Sequence, residues 1–196
     1  MRNLYAIALA TTLLMGCELF SQNVNLNPTI TTSQPTTTTQ STEGRGVTVL
    51  VRVVDERPSK SLGRRAGSFG PAAEITSNSD FEQVVAEKVK ESLQARGFSV
   101  SNSDSSSSAT LNVEIRLLQY STSFGFFTMG THIQAALKAV ATKSGKSYEK
   151  MYRSDKEERT VIVPTAGMNE EWINVALSDV LTQLASDRDL IAFLAD

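Results

Sequence analysis

Leu111-Asn112-Val113-Glu114-Ile115-Arg116-Leu117 alternates apolar and polar side chains without a break. Successive side chains of a strand point to opposite faces, so this run predicts a strand with one dry face and one wet face. A second run repeats the pattern: Ile133, Ala135, Leu137, Ala139 and Ala141 share one side, and His132, Gln134 and Lys138 lie opposite. Lys143-Ser144-Gly145-Lys146 has the composition of a tight turn, which makes residues 147–153 the returning strand of a hairpin. That strand is read onward through the charged residues 154–159 into Thr160-Val161-Ile162-Val163, with a bend or bulge between.

Two amphipathic helices accompany these strands. Phe81, Val84, Val85, Val89 and Leu93 form one apolar stripe; Ser79 and Glu82 have capping-box spacing in front of it, and Gly97 stops it. Trp172, Ile173, Ala176, Leu177, Val180, Leu181 and Leu184 form the second stripe, with Asn169 read as its N-cap after Pro164 and Gly167 break the chain. A last short helix is expected over residues 187–194. Upstream, Val47-Thr48-Val49-Leu50-Val51-Arg52-Val53-Val54 reads as a mostly buried strand that ends at Asp55-Glu56-Arg57-Pro58. Phe98-Ser99-Val100 and residues 73–76 are short strand candidates, and residues 101–108 are a serine-rich loop. The helix stripes need a cover and the wet-faced sheet has one dry side. The expected fold is therefore α+β: a mainly antiparallel sheet of four or five strands with two amphipathic helices packed on one face, in a single domain over residues 47–196.

Residues 1–46 read differently. Arg2 followed by an apolar run over residues 4–14 has the form of an export signal, too short for a transmembrane helix of about 20 residues. Residues 1–16 are thus read as a signal peptide. Leu14-Met15-Gly16-Cys17 resembles the lipobox of bacterial lipoproteins, with Met15 the one unusual occupant. By that resemblance Cys17, the only cysteine, carries the lipid and becomes the first residue of the mature chain. Two or more acyl chains at about 0.8 kcal/mol per buried CH₂ make a durable anchor. An Asp directly after such a cysteine tends to retain these proteins in the inner membrane; Glu18 stands here, which points to the outer membrane, facing the periplasm. Residues 17–46 are rich in Thr, Ser, Asn and Gln and read as a flexible tether with a reach of about 30 Å. Within it, Val24-Asn25-Leu26-Asn27-Pro28 is open to pairing as an edge strand or lying on the domain.

The lipobox, the first strand ending in Asp55-Glu56-Arg57, the helix end Leu93-Gln94-Ala95-Arg96-Gly97-Phe98, the run over residues 109–120 and the closing Ala176-Leu177-Ser178-Asp179-Val180-Leu181 with Asp187 together resemble the YajG-type lipoproteins. The resemblance covers most of the chain. It implies a bacterial envelope lipoprotein and offers no catalytic residues to carry over. At the level of fold alone, the layout is similar to small α+β lipoproteins that assist outer-membrane machines.

Several functions are disfavoured by composition. Nineteen Lys plus Arg stand against 21 Asp plus Glu, so there is no basic field for nucleic acid. One cysteine closes no disulfide within the chain and excludes four-cysteine zinc patterns. His132 is the sole histidine and lies on a polar strand face without a partner spaced for metal binding or a catalytic relay. No Gly-x-Ser-x-Gly setting activates a serine. No catalytic residue, metal site or cofactor is therefore expected. Gly63, Arg64, Arg65, Gly67 and Gly70 lack the Walker lysine and read as a solvated loop rather than an anion site.

Two polar and apolar groups stand out. Asp55, Glu56 and Arg57 concentrate charge at a strand end, where they serve either a functional site or a structural turn; the frequency of Asp in turns favours the turn. Phe124, Phe126, Phe127 and Met129 lie between the two long strands. They either close the open end of the core, which the usual burial of aromatic side chains favours, or form a recognition tip. The leading functional reading is a non-enzymatic envelope module that binds an envelope protein through a sheet edge or this loop. The alternative is a small envelope hydrolase or ligand-binding protein using carboxylates near Asp55.

Overall fold

The computed structural model describes residues 21–31, 43–65, 73–101, 103 and 107–196. The signal peptide, Cys17, Glu18, Gly67 and Gly70 lie outside them. The strands are β1 (Gln22–Asn23), β2 (Thr48–Asp55), β3 (Gly63–Arg65), β4 (Ala73–Thr76), β5 (Ser99–Ser101), β6 (Ala109–Phe124), β7 (Met129–Lys143) and β8 (Lys146–Thr160). The helices are α1 (Phe81–Ala95), α2 (Ala166–Ala185) and α3 (Arg188–Ala195).

The α+β class holds, but the sheet is neither four- to five-stranded nor mainly antiparallel. It has eight strands, and four of its seven pairings are parallel: β1 with β4, β2 with β5 and with β6, and β3 with β6. The three antiparallel pairings are β3–β4, β6–β7 and β7–β8. The physical reason is the position of α1. It separates β2 from β6 in the chain, and a helical crossover returns the next strand parallel to the first. The β6–β7–β8 meander supplies the antiparallel part, and its β7–β8 turn is a two-residue link with Ser144 at φ 51° and Gly145 at φ 76°, as that hairpin geometry requires. β8 then runs unbroken to Thr160, without the bend expected after residue 153.

Strand β6 pairs with β7 along its whole length on one edge. Its other edge is shared by β2, over residues 109–115, and β3, at Tyr120. Between Ile115 and Leu117 the register with β7 slips by one residue at Arg116, a β-bulge. Before it the odd residues Leu111, Val113 and Ile115 are buried; after it the even residues Leu118 and Tyr120 are. Leu117 therefore does not continue the dry face, contrary to its alternation in the sequence. Beside Tyr120, Gly63 has φ 139°, and a Cβ there would sit 1.9 Å from the Tyr120 carbonyl oxygen, so the crossing of β3 onto β6 requires glycine.

The helix ends also differ from the sequence reading. α1 is capped by Asp80, which accepts from the Gln83 amide, and not by Ser79. α2 begins earlier, at Ala166, capped by Thr165. Asn169 is fully buried within it, accepting from the Tyr120 hydroxyl (2.7 Å) and donating to the Gln22 side chain (2.6 Å). α3, expected over residues 187–194, spans Arg188–Ala195 with Asp187 as its cap.

The largest departure concerns the residues read as tether. Val24, Leu26 and Pro28 are buried, and Val24 and Leu26 join the same core as both main helices. The extended segment 24–31 lies as a strap along α2. The backbone N–H groups of Asn25, Asn27, Thr29 and Thr31 donate to side chains of Glu170, Asn174, Ser178 and Thr182, at 2.9, 2.6, 2.9 and 3.1 Å. The opposite edge is held too, as Val24 N–H donates to the Thr76 carbonyl and Leu26 N–H to the Ser79 hydroxyl. Leu26→Ala should lower stability by about 2–3 kcal/mol in urea denaturation. A free tether predicts no change.

Candidate functional site

The carboxylate of Asp55 is almost fully enclosed, its side chain 3% exposed. One oxygen accepts from the Arg57 backbone (3.2 Å) and Arg57 Nε (2.9 Å), and the other from Arg57 Nη2 and Lys60 Nζ (both 2.9 Å). Arg57 also stacks on Phe81, 4.7 Å from the ring centre, while its Nη1 is buried without a hydrogen-bond partner. The Asp55 backbone N–H donates to Glu82 at 2.7 Å, tying the strand end to α1. Burial would raise the Asp55 pKa, but the hydrogen bonds from Arg57 and Lys60 outweigh it and hold the group at about 2. Glu56 lies outside this cluster and pairs with Arg116. A cleft of about 290 Å³ borders Asp55, Arg57, Lys60, Ser79 and Glu82. A carboxylate with both oxygens engaged by cations is a poor proton acceptor at neutral pH. The three residues named from the sequence thus split: Asp55 and Arg57 make a buried turn, and Glu56 a surface pair.

His132 and Gln134 both face Asp155 on the wet side of the sheet, Gln134 Nε2 donating at 3.0 Å. The Asp155 pKa is lowered, first by its hydrogen bond with His132. Among the described residues no three His, Cys, Asp or Glu side chains are grouped to hold a metal ion. None of their helices is long and apolar enough to cross a membrane.

A second buried carboxylate, Asp187, was named in the sequence only as the start of the last helix and within the family pattern, and it does two jobs. Asp187 caps α3, accepting from the Asp189 and Leu190 amides, and also accepts from the hydroxyls of Tyr148 (2.9 Å) and Tyr152 (2.7 Å) and pairs with Lys150. Burial again would raise its pKa, and Lys150 and the two tyrosines bring it down to about 2.

The aromatic residues between β6 and β7 do not close the core. Phe126 is 93% and Phe127 81% exposed, and Phe124 is half exposed; only Met129 of the four is buried. The Phe126 and Phe127 rings meet edge to face, 4.6 Å apart. Register explains the placement: Phe124 pairs with Met129, and Met129 with Thr160, so three strands end together. Val161 and Ile162, just past β8, are exposed at the same end. The sequence named the loop but not this apolar pair, because the strand was read to run through them.

The family described as uncharacterized lipoprotein, Lipoprotein_16, matches residues 33–195. The chain belongs to this family of lipoproteins. The YajG-type resemblance read from the sequence agrees with it. No curated protein matches the lipoprotein. Among solved structures it is similar to protein XCC0632 from Xanthomonas campestris, of the DUF330 family, with TM-score 0.52 and 11% identity over 84% of this chain and 91% of that one. A Helicobacter pylori protein named as a neuraminyllactose-binding hemagglutinin homolog follows at TM-score 0.45 and 13% identity, over 83% and 96% of the two chains. Lipoprotein GNA1162 from Neisseria meningitidis gives 0.35 and 13%, over 72% and 99%. Of these three, the Xanthomonas likeness is strong enough to indicate a shared fold, and at 11% identity fold is all that it indicates.

The two depressed carboxylates of the lipoprotein give its stability a defined pH dependence. With folded pKa values of about 2 against about 3.9 unfolded, each contributes stability that is complete above the unfolded value and lost as pH falls from about 5 toward 2. Urea denaturation at pH 7 and pH 3 should show that loss. Asp55→Asn should destabilise the protein at pH 7 by about 3 kcal/mol, by leaving Arg57 buried and unpaired, and should flatten the dependence below pH 5.

Proposed function

We propose that this lipoprotein is a non-enzymatic accessory module of the cell envelope. It is anchored through lipid on Cys17 to the outer membrane, faces the periplasm, and works by docking through the aromatic end of its domain. The observation that carries this reading is the exposure of Phe124, Phe126 and Phe127 together with Val161 and Ile162 at one end of the sheet. No charged residue occurs from 117 to 131 or from 160 to 169, and the charged Glu157, Glu158 and Arg159 at the end of β8 border that end in register with residues 132 to 130. Contiguous exposed apolar surface is uncommon on soluble monomers and marks interaction sites. An aromatic pair is the usual content of such a site, because rigid rings contribute large contact area at little conformational cost.

The hydrolase alternative has the cleft beside Asp55 in its favour. Against it, the carboxylate it would use is neutralised by Arg57 and Lys60 and held at about 2, far from the pKa of a working general base. Glu56 is turned away toward Arg116.

Photo-crosslinking in cells tests docking. A probe at Phe126 or Phe127 of the lipidated protein should give adducts with an envelope component, and a probe at Lys146, at the far end of the β7–β8 hairpin, should not. Equal labelling or none at both positions would remove the aromatic end as a docking surface.

A further inference from the structure

We infer that the occupant of the aromatic end is the bilayer that holds the Cys17 lipid: Phe124, Phe126, Phe127, Val161 and Ile162 rest in its interface and fix the orientation of the domain. This inference rests on the docking reading above and names its partner.

Gln22 pairs with Ile75, Ile75 with Gly63, and Gly63 with Tyr120, so these four residues form one row across the sheet. β3 is parallel to β6, β4 antiparallel to β3, and β1 parallel to β4. β1 therefore runs opposite to β6. Going backward from Gln22, the chain leaves the domain in the direction in which β6 advances, from Tyr120 to Phe124. The start of α2 confirms that this is one end of the molecule, because Asn169 in its first turn bonds both Gln22 and Tyr120.

Length then limits how far the anchor can be. Phe124 lies four residues beyond the Tyr120 row, or about 13 Å along the strand. Cys17 is five residues before Gln22, and a fully extended chain of that length spans about 17 Å. The attachment point at Cys17 can thus be little farther from the row than the aromatic end is, and the described chain heads toward that end where it leaves the domain at Ser21. The strap is what imposes this. Were residues 18–46 all free, a reach of about 30 Å would leave the domain without a preferred face toward the membrane.

The chemistry of the end suits a bilayer better than a protein groove. Side chains as exposed as Phe126 and Phe127 stand clear of their neighbours and can enter a fluid interface without rearrangement of the domain. Residues 117–131 and 160–169 themselves carry no charge whose desolvation would oppose insertion. Of the exposed charges at the end of β8 that border them, Arg159 pairs with Glu157, so insertion owes little to salt-sensitive attraction.

The test uses the mature lipidated protein reconstituted in vesicles whose acyl chains carry bromine, a short-range quencher of tryptophan. The single natural tryptophan is removed by Trp172→Phe, and a reporter is placed by Phe126→Trp or, at the opposite end, by Lys146→Trp. Residues that enter the interface sit about 5–10 Å into it, so the reporter at 126 should lose roughly half its emission or more and shift to the blue. The reporter at 146 should be unaffected, and raising the salt should change neither. A reporter at 126 that stays unquenched on anchored protein would overturn bilayer docking, as would equal quenching at both ends. If tip-specific adducts in cells then form with an envelope protein, docking through the aromatic end stands and only its occupant changes. If no such adducts form, both readings fall.

Discussion

Two repeat lengths that nearly agree hold this domain together. Along an extended strand every second residue presents its N–H to the same edge, about 6.6 Å apart, while along a helix every fourth residue returns to the same face after about 6 Å. Asn25, Asn27, Thr29 and Thr31 meet Glu170, Asn174, Ser178 and Thr182 in that register, four donors on four acceptors. An extended segment has no internal hydrogen bonds, and each net contribution from such a contact is about 1 kcal/mol. The polar ladder satisfies one edge while Val24, Leu26 and Pro28 seal the core below. The strap thereby joins the domain, which begins upstream of residue 47.

The second constraint is the single extra residue at Arg116. A strand that alternates faces cannot change which side it buries without an insertion, and the bulge does this once. It lets β6 pair with β2 in its first half, then turn Leu118 and Tyr120 toward the core where β3 takes over. Tyr120 and Asn169 then make a buried polar contact that also reaches Gln22. Fold and strap meet at that point, and beyond it β6 carries Phe124 clear of the helices.

Much of this was legible in the sequence where periodicity was regular. The dry face of β7, the stripes of both main helices, the β7–β8 turn and the short last helix follow from spacing alone. The sheet was read as mainly antiparallel because the two long alternating runs and their hairpin dominated the pattern, although the helix between β2 and β6 implied a parallel crossover. The bulge leaves no signal in an alternation that continues smoothly through Leu117. The strap was legible only as an option for residues 24–28, because the alternation Val24, Leu26, Pro28, Ile30 sits inside a Thr- and Asn-rich stretch that reads as unfolded. Its partner was equally disguised, since Glu170, Asn174, Ser178 and Thr182 at every fourth position look like the solvent face of an amphipathic helix. A polar stripe of short acceptors on a helix, facing an alternating extended segment elsewhere in the chain, is the pattern that would have revealed both. The burial of Asp55 is invisible for a different reason, because one charged triplet encodes a buried turn and a surface pair alike.

Residue-resolved hydrogen exchange of the mature protein tests the strap most directly. The amides of Asn25, Asn27, Thr29 and Thr31 should exchange far more slowly than those of an unstructured chain, and Asn174→Ala should speed Asn27 selectively. Exchange of all four at the rate of free peptide would contradict the strap, return residues 21–31 to the tether, and remove the reason for the domain to face the membrane with its aromatic end.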